Sequence, residues 1–183
     1  MKPTFGEYAA ALKDAVPSLF APEAPVRMIT EFGRCIVAKA GAFVSKVEYT
    51  KVNGGRFILQ QHCGHDLLTR TVWAPAEWKL RVEVFDGTTG EPRDGELIPT
   101  DVAGPCCLGA DMAAVNVPLP KATQPNDLVV IKDVGGYYHA SYNYYNLREA
   151  PACFLLEGTS LRCIRRAATT EETIAFTLNN AEA

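Results

Sequence analysis

The 183-residue sequence predicts a mainly β fold, a β-barrel or sandwich domain preceded by one helix-strand unit, and three observations carry that expectation. Hydrophobic residues make up 48% of the chain against 21% charged, which is enough apolar surface to bury a core and offset the entropy of ordering. From Cys35 onward, short apolar runs recur between Gly, Pro and Asp, the punctuation of successive strands. Helical periodicity is strong in one place, at the N-terminus. An α/β enzyme complete in itself would alternate strands and helices. Here a helix and a strand are followed by a run of β structure, like the end of one domain joined to the whole of another, with residues 1–34 as the first piece and 35–183 as the second.

The elements follow in order. Thr4-x-x-Glu7 has the form of a capping box, and Phe5, Tyr8, Leu12, Val16 and Leu19 recur at helical spacing, so an amphipathic helix is expected from about Phe5 to Phe20, ended by Pro22 and Pro25. Val26-Arg27-Met28-Ile29 reads as a short buried strand, and Glu31-Phe32-Gly33-Arg34 as a polar turn. Strands are expected from Cys35, with a long half-buried one from Phe43 and a hairpin turn at Asn53-Gly54-Gly55 leading into Phe57-Ile58-Leu59. Leu80 to Phe85 and Val129-Val130-Ile131 read as strands. Cys153–Leu156 and Leu161–Ile164 form a pair around Glu157-Gly158, and a short helix is expected near Thr170-Glu171-Glu172.

Charge and cysteine usage exclude several function classes. The formal charge is −3, so the basic stripe that nucleic acid requires is missing, and nucleic acid is not an expected partner. No apolar run approaches the ~20 residues that cross a bilayer. Glu7 and Asp14 interrupt the N-terminal segment where a signal peptide would be apolar, so a soluble, cytoplasmic protein without membrane contact is expected. The six cysteines are irregularly spaced in a chain large enough to have a core, so most read as small buried hydrophobes.

Three segments carry candidate chemistry. His62-Cys63-x-His65 resembles a metal cluster, but no second Cys/His pair lies at zinc-ligand spacing, so polar residues at a strand end are the better reading and no metal is expected. Gly104-Pro105-Cys106-Cys107-Leu108-Gly109-Ala110-Asp111 is a rigid turn with a thiol four residues before a carboxylate, on one face if the segment turns helically; a buried structural thiol explains it equally well. In Asp133-Val134-Gly135-Gly136-Tyr137, adjacent glycines let backbone approach a ligand, and the phenols and amides that follow can hydrogen-bond one; core aromatics are the alternative.

Together, Glu31-Phe32-Gly33-Arg34, Gly104-Pro105-x-Cys107-x-x-x-Asp111, and Gly135-Gly136-Tyr137 with Tyr145-Asn146 resemble the C-terminal part of the fold-type III PLP-dependent decarboxylases, the diaminopimelate, ornithine and arginine decarboxylase group. The resemblance runs over nearly the whole chain. It implies an alanine-racemase-C-like β-domain behind the last helix and strand of a TIM barrel. By the resemblance, Glu31 pairs with the pyridine nitrogen of pyridoxal 5'-phosphate (PLP), Gly33 belongs to the same cofactor-binding motif, and Arg34 and Tyr137 hold the cofactor phosphate. Cys107 is the catalytic loop cysteine that reaches a neighbouring subunit's site, Asp111 contacts a distal amine of the substrate, and Arg70 binds a substrate carboxylate. Departures accompany the likeness: Phe32 replaces proline, Gly136 replaces alanine, and Leu108 stands where diaminopimelate decarboxylases carry a glutamate that reads the far end of their substrate.

The family's cofactor-bearing lysine and glycine-rich phosphate loop belong to the barrel, and Lys39, Lys46 and Lys132 lie in contexts unlike that lysine's. The expectation is therefore the C-terminal β-domain portion of a PLP-dependent amino acid decarboxylase, inactive alone, in a homo-oligomer such as a dimer or beside a separate barrel chain. The first alternative is a stand-alone β-domain that binds a barrel chain or oligomerises. The second is a thiol enzyme built on Cys107, for which no histidine is placed as base.

Overall fold

The computed structural model describes residues 4–24 and 26–178. Residues up to Gly33 form one compact unit and residues from Arg34 a second. In the first, helix α1 (Phe5–Ala15) starts at a complete capping box. Thr4 Oγ1 accepts from the Glu7 N–H at 3.2 Å, and Glu7 Oε2 accepts from the Thr4 N–H at 2.7 Å. The helix stops at Ala15 rather than running to Phe20, because Pro17 restricts the residue before it and Val16 leaves helical geometry at φ −142°, ψ 71°. Pro17–Phe20 continues as one 3₁₀ turn; Pro25 lies outside the described residues.

The expected buried strand at Val26–Ile29 is not formed. These residues are irregular and exposed, Ile29 to 75%, because no strand among the described residues pairs with them and a lone strand leaves its backbone groups to water. The residues expected to begin the strands, Cys35 to Ala40, are helical as well: α2 (Gly33–Val37) is followed by a 3₁₀ turn over Ala38–Ala40.

The second unit is built on a six-stranded sheet of β1 (Ala42–Asn53), β2 (Arg56–Gln61), β3 (Val82–Phe85), β4 (Leu97–Ala103), β5 (Met112–Pro120) and β6 (Leu128–Lys132), in the order β3-β6-β1-β2-β4-β5. Between β2 and β3 lies helix α3 (His65–Trp73). All pairings are antiparallel except β2 with β4. The first half of β1 pairs with β6 and its second half with β2, and a register shift between Val47 and Tyr49 lets the long strand bend from one partner to the other. The two end strands of the order, β3 and β5, come into contact, so the sheet curls like a barrel rather than forming a sandwich. Gly54 and Gly55 at positive φ (56° and 76°) close the β1–β2 hairpin as their sequence predicts.

Val47, Leu59, Val102, Val129 and Ile131 fill the inside of the curl with essentially no exposure, and Leu68 of α3 and Tyr138 cap it. A separate hairpin, β7 (Cys153–Glu157) with β8 (Ser160–Arg165), turns at Gly158, and α4 (Thr170–Leu178) follows. Among the described residues no helix is long and apolar enough to cross a membrane.

Candidate functional site

The loop after β6 is shaped by a close backbone approach. Gly135 donates its N–H to the Ala38 carbonyl at 2.9 Å, and a Cβ on Gly135 would sit 2.0 Å from the Val37 carbonyl oxygen, so only glycine fits. Gly136 has more room: its nearest neighbours would be Val37 Cγ2 at 3.4 Å and Arg34 Cα at 3.7 Å. The loop then lifts Tyr137 into a left-handed conformation at φ 73°, an unusual state for an aromatic residue and one that the flanking contacts must hold.

Three side chains widely separated in sequence meet there around Trp78. The Arg34 guanidinium carbon lies 4.2 Å from the indole centroid, the Arg70 carbon lies 4.6 Å from it, and Arg70 also stands 4.2 Å over the Tyr137 ring. Tyr137 meets Trp78 edge-on at 6.2 Å. Among the described residues neither guanidinium is ion-paired, and Arg34 Nε is buried without a hydrogen-bond partner. Asp133 is taken by Arg81 in a bidentate pair of 2.7 Å bonds, which holds its carboxyl below the ordinary 3.8. Behind the cluster, the buried Tyr138 phenol hydrogen-bonds Thr71 Oγ1 at 2.8 Å. Burial pushes its pKa up, against the pull of Thr71, Arg34 and Arg70.

The β4–β5 loop is a second, closed assembly. It does not turn helically, so Cys107 and Asp111 are not presented on one helix face: Cys107 is exposed, whereas Asp111 is 3% exposed. Asp111 Oδ1 accepts from the His65 N–H and Oδ2 from the Cys106 N–H, each at 2.6 Å. Its carboxyl is nonetheless raised by burial, which outweighs those two donors. Asp111 therefore staples this loop to the start of α3.

Beside it, Arg148 Nε donates to Asp66 Oδ2 and its Nη2 to the His62 carbonyl, both at 2.9 Å, and the Cys106 thiol points at Asp66 Oδ1 at 3.8 Å. Cys107 is tied through its backbone, donating to Asn146 Oδ1 at 3.1 Å and accepting from the Tyr145 hydroxyl at 3.3 Å. Burial pushes the Cys63 thiol up to about 12 and raises that of Cys106, so neither is a poised nucleophile. No hydrogen bond joins the Cys107 thiol to a histidine among the described residues, and His62 pairs with Glu48 at 2.6 Å.

Of the sequence-derived candidates, the structure brings together Arg34, Arg70 and Tyr137, and places Cys107 and Asp111 in the other loop. Glu31 and Gly33 belong to the first unit. There the Glu31 carbonyl accepts from the Gly33 N–H at 2.9 Å, and Phe32 packs against Phe5 and Tyr8 at 5.6 and 5.1 Å. Trp78 was not singled out by the sequence, since it lies on no regular element and its neighbours come from elsewhere in the chain. His65, expected as a polar residue at a strand end, begins α3. It is buried between Trp73 and Tyr145, with ring centroids at 5.9 and 5.1 Å.

The described residues thus form a curled sheet domain whose loops gather two arginines without ion pairs and an exposed tyrosine. The profile of the pyridoxal-dependent decarboxylase C-terminal sheet domain matches residues 26–135, and the chain belongs to that family. The diaminopimelate decarboxylase of Streptomyces coelicolor is 34% identical over 160 residues, which is 82% of this chain and 35% of that protein. A solved diaminopimelate decarboxylase superposes with a TM-score of 0.79 at 25% identity, over 97% of this chain and 44% of that one. The lysine/ornithine decarboxylase of Vibrio vulnificus, solved with cadaverine, gives a TM-score of 0.58 at 26% identity, over 77% and 35% of the two chains. The chain thus spans about a third of the length of the curated relatives it matches.

Proposed function

We propose that this β-domain serves a PLP-dependent decarboxylase acting on an amino acid with a second, distal amine, and that it supplies part of a site completed by a barrel it does not itself contain. The observation that carries the reading is the meeting of Arg34, Arg70 and Tyr137 in one cluster in which, among the described residues, neither guanidinium is ion-paired to a carboxylate. Uncompensated guanidiniums favour an anion, and a buried Arg34 Nε without a partner fits a phosphate oxygen as acceptor. When bound, PLP supplies the electron sink that lets an amino acid release its carboxylate as carbon dioxide.

In this reading Arg34 and the Tyr137 hydroxyl would hold the phosphate, and Arg70 would orient a substrate carboxylate. Cys107, exposed on a loop pinned by Asp111 and Asn146, is the group offered to a proton-transfer step in a neighbouring site. Two tests bear on it. The chain mixed with PLP retains no visible cofactor band after dialysis; a band that survives would show a covalent site of its own. Supplied with the barrel segment of the Streptomyces coelicolor relative, it restores carbon dioxide release, and Arg34→Gln abolishes that gain; release unaffected by Arg34→Gln would overturn the assignment.

A second reading, a β-domain acting as an oligomerisation or docking module for itself or for a barrel chain, is favoured by the apolar side chains left exposed on the β7–β8 hairpin and α4. These include Phe154, Leu156, Leu161, Ile164 and Phe176. It predicts a dimer in sedimentation, and a clean monomer would count against it.

A further inference from the structure

We propose that Trp78 is a positioning residue whose indole holds in place both the Arg34 guanidinium, read above as a phosphate-holding group, and the Arg70 guanidinium, read as the group for a substrate carboxylate. The inference rests on the reading of Arg34 as a phosphate-holding group and adds what keeps the two cations in place before any anion arrives. Two like charges without a carboxylate between them repel, and long flexible side chains would ordinarily separate into water. Here both lie within 4.6 Å of one indole centroid, where the ring's negative face attracts each cation. Tyr137 offers Arg70 a second face at 4.2 Å.

Trp78 is itself fixed by its backbone: its N–H donates to the Ala74 carbonyl at 3.0 Å, and its carbonyl accepts from Thr71 Oγ1 at 2.9 Å. Thr71 is buried and in turn hydrogen-bonds the buried Tyr138 hydroxyl, so the ring is tied to the core through a chain of two side chains. The acids that could have neutralised the cluster are engaged elsewhere. Asp133 is held by Arg81 and Asp66 by Arg148. Burial, with Asp133 adding to it, leaves the Tyr138 pKa raised, although both guanidiniums pull the phenol toward its anion.

The test uses the whole chain with Trp73→Phe, which leaves Trp78 as the one tryptophan. Inorganic phosphate and PLP are expected to change Trp78 emission, and pyridoxal, which lacks the phosphate, is expected not to. Measured by equilibrium dialysis, Trp78→Leu should weaken phosphate binding about tenfold with the fold intact by circular dichroism, and Trp78→Phe, which keeps a ring, should stay within about threefold of the parent. Unchanged affinity in folded Trp78→Leu overturns the role of Trp78 and leaves the Arg34 assignment standing. No phosphate binding by the parent overturns both. If Trp78→Leu fails to fold, the decision passes to Trp78→Phe: a two- to threefold loss supports the proposal, and affinity equal to the parent's or better overturns it.

Discussion

The loop after β6 and the loop between β4 and β5 each follow a sheet strand, yet they treat charge in opposite ways. In the β4–β5 loop, the Asp111 oxygens each take a backbone N–H, and neighbouring Asp66 takes an Arg148 nitrogen and a Cys106 thiol. Around the β6 loop, two guanidiniums rest on aromatic rings without a carboxylate, and Tyr137 sits in a strained backbone state. Satisfied polar networks stabilise a fold, whereas unsatisfied charge and strain are kept where a ligand will complete them. On the proposed reading, the β4–β5 loop is held by its own hydrogen bonds and the β6 loop is left open for a ligand.

Substitutions can break that contrast. Asp111→Ala strips two buried N–H groups of their acceptor and should cost about 3 kcal/mol in urea unfolding. If phosphate affinity also collapsed in the protein that remains folded, the separation between the loops would be wrong. Gly135→Ala forces a methyl against the Val37 carbonyl and should cost about 2 kcal/mol, with phosphate binding impaired alongside, because the same contact places Tyr137. A wild-type melting temperature would show that the approach is looser than described.

Asp133→Asn keeps the left-handed backbone at φ 68° but loses the charged partner of Arg81, and should cost less than either. Its sign with pH is determined: the Asp133 carboxyl is lowered below 3.8 in the folded state, so its stabilisation is present above that value and lost as pH falls through the lowered one. The gap between wild type and Asp133→Asn should therefore be constant near neutrality and close in acid. Arg70→Gln should leave stability within about 0.5 kcal/mol and phosphate binding near the parent's, while carbon dioxide release in the barrel-supplied protein falls. Gly136→Ala has room for its methyl and should be neutral or stabilising by up to about 1 kcal/mol.

The hairpins were legible because their turns are chemical: Gly54-Gly55 and Gly158 take positive φ, and flanking apolar alternation does the rest. Strands β4 and β5 were not legible, since Pro99, Pro118 and Pro120 read as breakers. Pro99 and Pro118 face each other across the pair, and β5 closes the strand order, where a missing N–H is tolerated. Helix α3 is short and distorted at Leu68, and its polar start at His65-Asp66 looked like a strand end. The residues of the β6 loop were recognisable one by one as a ligand-binding pattern. Asp111 was recognisable too, but its burial was not, because a carboxylate carries no mark in sequence that says which N–H groups will surround it.

Local chemistry alone decided the N-terminal cap at Thr4, the glycine turns, the mainly β composition and the decarboxylase signature, since each depends on residues close together in the chain or on residue type. Which charges are left open was decided in three dimensions. Arg34, Arg70, Trp78 and Tyr137 come from four separate stretches, and Coulomb and cation–π energies depend on distances that only the curled sheet sets. The same holds for Val26–Ile29: its apolar side chains are written in the sequence, but a strand exists only where another strand lies beside it to accept its hydrogen bonds.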